Sequence, residues 1–373
     1  MHFLPYFPPH SGGVEMYAKE WAENYVKEGG DVCIVTFSWG QKKPSRREDG
    51  YDIIVLPAFD IVHSFPFPMF WLPSFWRGIS RTRLWKPQII HTHTRFFLSS
   101  LLWGILAKLW KTPWIHIEHG SGFVVSSKRS ITYFSRLYDA TFGKWALSHT
   151  DEVIAVSEAC EYFVRSRFSN KNVHTIYRGI TPTIARASRS DREIHIGYVG
   201  RLVDLKWVDI LIQAFSRFQK TYTWKKPVKL KIIWDGPERK KLENLVTSLT
   251  LSASVEFLGS LPIDQVRSLV LPSLHIFVNP SFQEWLPTTV IEALIAGCRV
   301  VATDVGGTRE ILRYASFTLI APRSIWDLES GLSEEVERVS REDYLSVPIS
   351  LFLWEQTLRE FSEVYDEVSN SLR

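Results

Sequence analysis

Residues 278–298 read VNPSFQEWLPTTVIEALIAGC. Residues 278–281 have the look of a buried strand running out. Pro287 suits the first turn of a helix, and Thr288, Thr289 and Glu292 suit its start. The helix is expected to run to Ala296 and stop at Gly297, a glycine just past a helix end. Its first backbone N–H groups have no intrahelical partner and point forward of the strand ends, where an anion or a sugar hydroxyl is well served. Glu284 and Glu292 stand eight positions apart, and Glu292 falls one turn inside the helix. Its carboxylate is able to accept two hydroxyl hydrogens from one ribose-like diol.

Working outward, β and α signals alternate on both sides. Residues 3–7 read as the end of a first strand that begins abruptly at Met1, so a few preceding residues are expected to be missing from this reading frame. Gly12 and Gly13 open a loop, and residues 14–27 have helical periodicity. Gly29 and Gly30 end that helix, and residues 32–37 form the next strand. This is a β-α-β unit with a glycine pair at the carboxyl end of its first strand, where ligands of open parallel sheets bind. An ordinary tight turn would read the same way. Residues 41–50 read as a solvated loop and 51–57 as a strand. Residues 59–87 crowd Phe65, Phe67, Phe70, Trp71, Phe75 and Trp76 ahead of Arg77, Arg81 and Arg83. They form either a helix packed into the core or an exposed aromatic and basic lip facing lipid headgroups or a lipid-linked acceptor. Residues 89–94 form a strand with His91 and His93. A His-x-His pair suits zinc, but no third ligand of the right kind lies nearby, so no metal is expected. Further strands are expected at 114–118, 151–157 and 173–177, with helices at 98–109 and 130–149.

Residues 181–192 are polar, lack apolar periodicity and suit an interdomain linker. A second β/α series follows, with strands at 195–199, 228–233, 255–258, 275–278 and 299–303 and a helix at 208–219. Residues 328–345 and 349–370 read as helices. The expected division is 1–180, a linker at 181–192, 193–348, and a last helix at 349–373.

Composition limits the choices. At 373 residues the chain has room for two or three domains. Its 45% hydrophobic and 23% charged residues are ordinary for a globular protein. A net charge of +4 with no Lys/Arg stripe does not suit nucleic acid. The isolated Cys33, Cys160 and Cys298 sit in apolar runs and suit a reduced compartment, so the cytoplasm is expected. No signal-peptide stretch or long apolar run is present in the sequence.

The spacing E-x7-E in SFQEWLPTTVIEAL, together with short motifs in order from about Pro5 to Glu310, resembles the retaining glycosyltransferases of family 4. That resemblance implies a GT-B fold: two Rossmann-like β/α/β domains facing each other across a cleft, with the last helix returning to the first domain. It implies a hexosyltransferase using a UDP- or GDP-sugar as donor substrate, without a resident cofactor. The first domain would take the acceptor, and the second the nucleotide sugar. His119, in the HGSG run at 119–122, corresponds to a histidine that faces the donor sugar. Arg201 and Lys206 correspond to the pair that holds the donor diphosphate. The physics agrees, since two cations beside a helix N-terminus suit a leaving group that develops negative charge. Glu284 and nearby backbone N–H groups would hold the sugar and Glu292 the ribose, with Gly259, Leu286 and Thr288 lining the nucleotide and Gly12 and Gly13 meeting the sugar. No Asp-x-Asp cluster occurs, so a metal-independent reaction is expected. The acceptor would be a lipid-linked glycan or a polysaccharide precursor of the cell envelope, with peripheral contact at the inner face of the membrane.

The sequence departs from the family at Trp207, Trp234 and Trp285, where glycine is usual, and Trp110 is a fourth candidate. Arg178-Gly179 stands where an asparagine before glycine is common. An indole at these sites would intrude on the donor pocket or strain the backbone. Either the site has diverged, giving a weakened sugar-binding homologue, or UGA codons that some bacterial codes read as glycine have been rendered as tryptophan. A glycosidase with paired carboxylates is a different reading. Against it, hydrolysis has no use for a phosphate-type anion site. A non-enzymatic sugar-binding protein is a third reading; transfer from a nucleotide sugar would separate it from an enzyme.

Overall fold

The computed structural model describes every residue except 11, 39–44, 63–64, 124–128, 169–171, 183–187, 224–225, 312, 342–348 and 372–373. The chain divides into two compact units, Met1–Gly179 with Phe352–Arg373, and Ile180–Leu351. Of the expected linker at 181–192, residues 183–187 lie outside the described residues.

The first unit is built on strands β1 (His2–Phe3), β2 (Cys33–Phe37), β3 (Arg46–Glu48), β4 (Tyr51–Leu56), β7 (Ile90–His93), β8 (Trp114–Glu118), β9 (Glu152–Ala155) and β10 (Val173–Thr175), with a separate hairpin of β5 (Ala58–Val62) and β6 (Phe65–Pro68). The sheet order is β10-β9-β8-β7-β1-β2-β4-β3. All neighbours are parallel except β3 with β4. Helices α1 (Gly13–Lys27), α2 (Pro73–Leu84), α3 (Leu98–Trp110), α4 (Arg129–Tyr138), α5 (Lys144–His149) and α6 (Glu158–Phe168) make the crossovers and flanks. Every residue of β2, β7 and β8 is buried, as a parallel sheet covered on both faces requires. Alternate side chains feed two cores. Ile34, Tyr17 and Trp21 pack on one face, and Cys33, Val35, Phe75 and Trp103 on the other.

The second unit carries β11 (Ile194–Val199), β12 (Val228–Ile233), β13 (Val255–Gly259), β14 (Ile276–Asn279), β15 (Arg299–Thr303) and β16 (Thr318–Ile320). They lie wholly parallel in the order β13-β12-β11-β14-β15-β16. Its helices are α7 (Val208–Thr221), α8 (Arg239–Ser248), the short α9 (Ile263–Gln265) and α10 (Leu271–Ser273), α11 (Thr288–Ile295), α12 (Thr308–Ile311) and α13 (Ile325–Ser340). The last helix, α14 (Trp354–Ser371), belongs to the first unit, where Trp354, Leu358 and Phe361 join Tyr17 and Trp21 of α1.

Three local expectations change. β1 ends at Phe3, because Pro5 has no N–H to give the ladder. Residues 46–48 form an antiparallel edge strand; of the rest of the expected loop, 41–44 lie outside the described residues. Ahead of α2, β5 and β6 pair antiparallel. That helix buries Phe75 but leaves Trp76 56% exposed, close in sequence to Trp71 at 63%. The segment is therefore part core and part lip, with Arg77, Arg81 and Arg83 also exposed.

Candidate functional site

In the second unit the chain adds β12 and β13 on one side of β11, then returns to add β14 on the other. The loops that leave the carboxyl ends of β11 and β14 therefore diverge at a topological switch point, the place where open α/β sheets bind ligands. The two loops are tied together. Phe282 N donates to Leu205 O at 2.9 Å, and Lys206 Nζ lies 2.5 Å from Glu284 Oε1. Asn279, the last residue of β14, donates from Nδ2 to the same Glu284 oxygen at 3.3 Å. Ser281 Oγ donates to Asn279 Oδ1 at 2.7 Å, which orients that amide, and Thr303 Oγ1 donates to Ser281 O at 2.6 Å. Glu284 is thus held from two directions while staying partly open to solvent.

Neighbouring loops are laced into the same rim. Leu202 N donates to Asp235 O at 3.0 Å and Glu238 N to Leu202 O at 3.1 Å. A Cβ on Gly236 would stand 2.3 Å from Leu202 O, so only glycine lets these backbones approach. Trp234 N donates to Gly259 O at 2.8 Å, and Gly307 N to Trp285 O at 3.0 Å. Arg201 is exposed, and its carbonyl accepts from Tyr198 Oη at 3.2 Å. Among the described residues its guanidinium has no ion pair. Lys206 closes a 3-10 turn, Asp204–Lys206, directly before α7.

Helix α11 starts at Thr288 with no side-chain cap. The chain closes past Ala296 through Cys298 N to Ala293 O at 2.9 Å, with Gly297 at φ +79°. Thr288 and Leu286 are half-buried on its approach. Glu292 has a different ionic partner from the Lys206–Glu284 pair. Its Oε1 takes Arg267 Nη2 at 2.7 Å and Nε at 3.1 Å, and both residues are nearly buried. No motif in the sequence pointed to Arg267, which comes from the turn Val266–Val270.

Trp207 has φ +48° and Trp234 φ +106°, a region that costs a bulky side chain. Trp207 is buried with its ring 4.9 Å from Phe282 and the Arg323 guanidinium over it at 5.1 Å. Trp285 is 38% exposed and is not among the positive-φ residues. Trp110 is helical; the left-handed residue at that helix end is Lys111. Backbone geometry thus favours glycine at 207 and 234, but not at 285 or 110.

In the first unit the switch point falls between β1 and β7. Gly12 caps α1 and Gly13 opens it. Neither has a positive φ, and a Cβ on Gly13 would meet nothing within 4 Å. The loop at 119–122 follows β8. Its anchor is a buried ionic cluster: Arg95 Nη1 lies 3.1 Å from Glu118 Oε1, and Arg95 Nε 3.1 Å from Asp139 Oδ1. Arg95 Nη2 donates to Gly122 O at 2.9 Å, and Gly120 N to Glu118 Oε1 at 2.7 Å. Burial raises the cost of charge on Glu118, but Arg95, His116 and Gly120 N–H outweigh it and hold the carboxyl well below its usual range. Asp139 opens a π-turn, Asp139–Gly143, which aims its carboxylate at Arg95. His119 itself is 5% exposed, and burial lowers its pKa to about 3. Nothing in the spacing of Arg95 and Asp139, 44 residues apart, announced this cluster.

Both nitrogens of His93 are engaged by other imidazoles, so the His91/His93 pair is not an open metal site. No helix among the described residues is long and apolar enough to cross a membrane.

Comparison with known proteins places this geometry. Residues 11–183 match the family model for Glycosyltransferase Family 4, and residues 181–338 that for Glycosyl transferases group 1. An uncharacterised glycosyltransferase of Methanocaldococcus jannaschii is 26% identical, with 99% of this chain and 98% of that one covered. The gpi3 subunit of phosphatidylinositol N-acetylglucosaminyltransferase from Schizosaccharomyces pombe is 25% identical, over 99% of this chain and 81% of its own. Among solved structures, sucrose-phosphate synthase of Thermosynechococcus elongatus superposes with a TM-score of 0.79 at 20% identity, covering 99% and 98% of the two chains. HepE of Anabaena, in complex with UDP and glucose, superposes at 0.74 and 17%, covering 98% of each. The two Rossmann-like units have the GT-B fold, and the chain is a glycosyltransferase of the family 4 type.

Proposed function

We propose that this glycosyltransferase moves a hexose of the mannose or glucose type from a UDP- or GDP-sugar to a lipid-linked or polysaccharide-precursor acceptor, retaining the anomeric configuration. The observation that carries this reading is the Lys206–Glu284 pair at the switch point of the second sheet. A cation and a carboxylate 2.5 Å apart, in front of a helix start, suit a diphosphate and a sugar hydroxyl side by side.

In this reading Lys206 and the exposed Arg201 take the diphosphate, and the charge that develops on it as the sugar leaves is met by cations instead of a metal ion. Glu284, oriented by Asn279, takes sugar hydroxyls. Glu292 accepts from the ribose diol with Arg267 holding the carboxylate in place, and Gly259, Leu286 and Thr288 lie against the nucleotide. Gly13 offers unobstructed backbone to the sugar, and His119 faces it. The exposed Trp71 and Trp76 with nearby arginines suit a peripheral contact with an anionic lipid surface. Named relatives support the class of reaction; the name of the Schizosaccharomyces pombe relative specifies N-acetylglucosaminyl transfer to phosphatidylinositol for that protein.

A second reading, a weakened sugar-binding homologue, is favoured by one observation: tryptophan at φ +48° and +106° in the loops after β11 and β12. Release of UDP or GDP from a panel of their sugars, in the presence of a membrane-lipid extract as acceptor, tests both. Turnover by the native chain supports transfer. Binding without turnover in the native chain, with turnover restored in a Trp207→Gly/Trp234→Gly variant, supports the weakened homologue.

A further inference from the structure

Three imidazoles cross the first sheet in a line. His2 on β1 and His93 on the adjacent β7 share a hydrogen bond, Nδ1 to Nε2 at 3.0 Å. His93 Nδ1 and His119 Nε2, at the end of the next strand, share another at 3.1 Å. The rings are clamped: Trp21 stands 4.2 Å from His2 and Tyr17 5.0 Å from His119. At its far end His2 borders a cavity of about 720 Å³, together with His91, Trp21 and Tyr365.

Burial keeps these rings neutral at ordinary pH. A neutral imidazole has one N–H and one bare nitrogen. Two N···N bonds in series therefore need one proton in each gap, and the three tautomers must change together. Only two arrangements satisfy both bonds. With Nε2 protonated on all three rings, His2 is left with a buried N–H. With Nδ1 protonated on all three, His2 is left with a bare buried nitrogen. Buried His2 Nε2 has no hydrogen-bond partner among the described residues. An unsatisfied buried acceptor is tolerated better than an orphaned donor.

We propose that His2 and His93 are positioning residues that hold His119 in its Nδ1–H form, so that His119 Nδ1 acts as a hydrogen-bond donor. That this donor serves the sugar rests on the function proposed above; the tautomer relay itself does not.

The test is nitrogen NMR of ¹⁵N-histidine-labelled full-length protein, with ring signals assigned by single His→Gln variants. The expected result is Nδ1–H with bare Nε2 on all three rings, with couplings across both N···N bonds. His2→Met places a sulfur that accepts but cannot donate next to His93. It is expected to move the His93 proton to Nε2 and so switch His119 to Nε2–H, two residues away along the relay. Packing by His2 alone would leave His119 unchanged. The proposal is overturned by an Nε2–H His119 in the native chain, by opposed tautomers within the chain of three, or by an unmoved His119 in folded His2→Met. If that variant does not fold, the native tautomers still decide. If the relay is found but no UDP- or GDP-sugar turns over, the functional reading fails and the relay stands.

Discussion

Lys206 Nζ and Glu284 Oε1 are 2.5 Å apart, although 78 residues separate them in sequence. The pair closes the gap between the loops after β11 and β14. Removing a preorganised partner of developing charge typically costs about 10²–10³ in kcat. Lys206→Ala and Glu284→Gln are each expected to lose activity on that scale, and the double variant less than the product, because contacting residues couple. Steady-state kinetics on the four proteins measures it. Strict additivity would mean that the contact has no part in turnover.

Trp234 is half-buried at φ +106°, where glycine is at ease and tryptophan is strained by about 1–3 kcal/mol. Trp234→Gly should raise the melting temperature by a few degrees, at about 2–4 °C per kcal/mol for a unit of this size. Trp207→Gly should not. Its strain is similar, but a fully buried indole against Phe282 is worth about 3–5 kcal/mol. Calorimetric scans of both variants distinguish the two cases. UGG codons at 207 and 234 in the gene would show that tryptophan is encoded there in any code.

Glu292 has its charge met by Arg267 in a nearly buried pair. Arg267→Ala strands that carboxylate and should destabilise the second unit by about 3–5 kcal/mol. Arg267→Met with Glu292→Leu, which removes both charges, should recover most of the loss. Urea unfolding of the three proteins gives the comparison. A single variant as stable as the native chain would show that Glu292 does not depend on Arg267.

Acid sensitivity follows from the buried histidines. Burial lowers His119 to about 3 and His275 to about 4, and puts His2, His91 and His93 well below their ordinary range. The unfolded chain binds these protons first, so the stability they contribute is complete above about pH 6.5 and is lost as pH falls towards the folded values. Each such group then removes up to about 1.4 kcal/mol per pH unit. The melting temperature should fall steadily from about pH 6.5 to about pH 5, and His119→Gln should flatten the slope. A flat profile over that window would contradict the neutral, buried assignment.

Much of this was legible in the sequence because it is periodic. The strand–helix alternation, the start of α7 and the turn at Gly297 follow from local residue chemistry. What stayed hidden depends on long-range contact. Arg95 meets Asp139 only because a π-turn aims the carboxylate, and Arg267 meets Glu292 across 25 residues. His91 and His93 read as a His-x-His pair without a third metal ligand, and their true partners stayed hidden, since sequence spacing cannot show that β1 lies between β7 and β2 and brings His2 to His93. The antiparallel pairing of β5 with β6 was hidden by aromatic density that suits helix and strand alike.

The central claim is that the rim formed by Lys206, Arg201 and Glu284 grips a nucleotide sugar by its diphosphate. Isothermal titration of UDP- and GDP-sugars against the native chain and Lys206→Ala tests it most directly. Saturable binding of one donor, lost in Lys206→Ala and insensitive to a metal chelator, is the predicted result. Donor binding of equal strength in both proteins, or none in either the native or the Trp234→Gly chain, would contradict it.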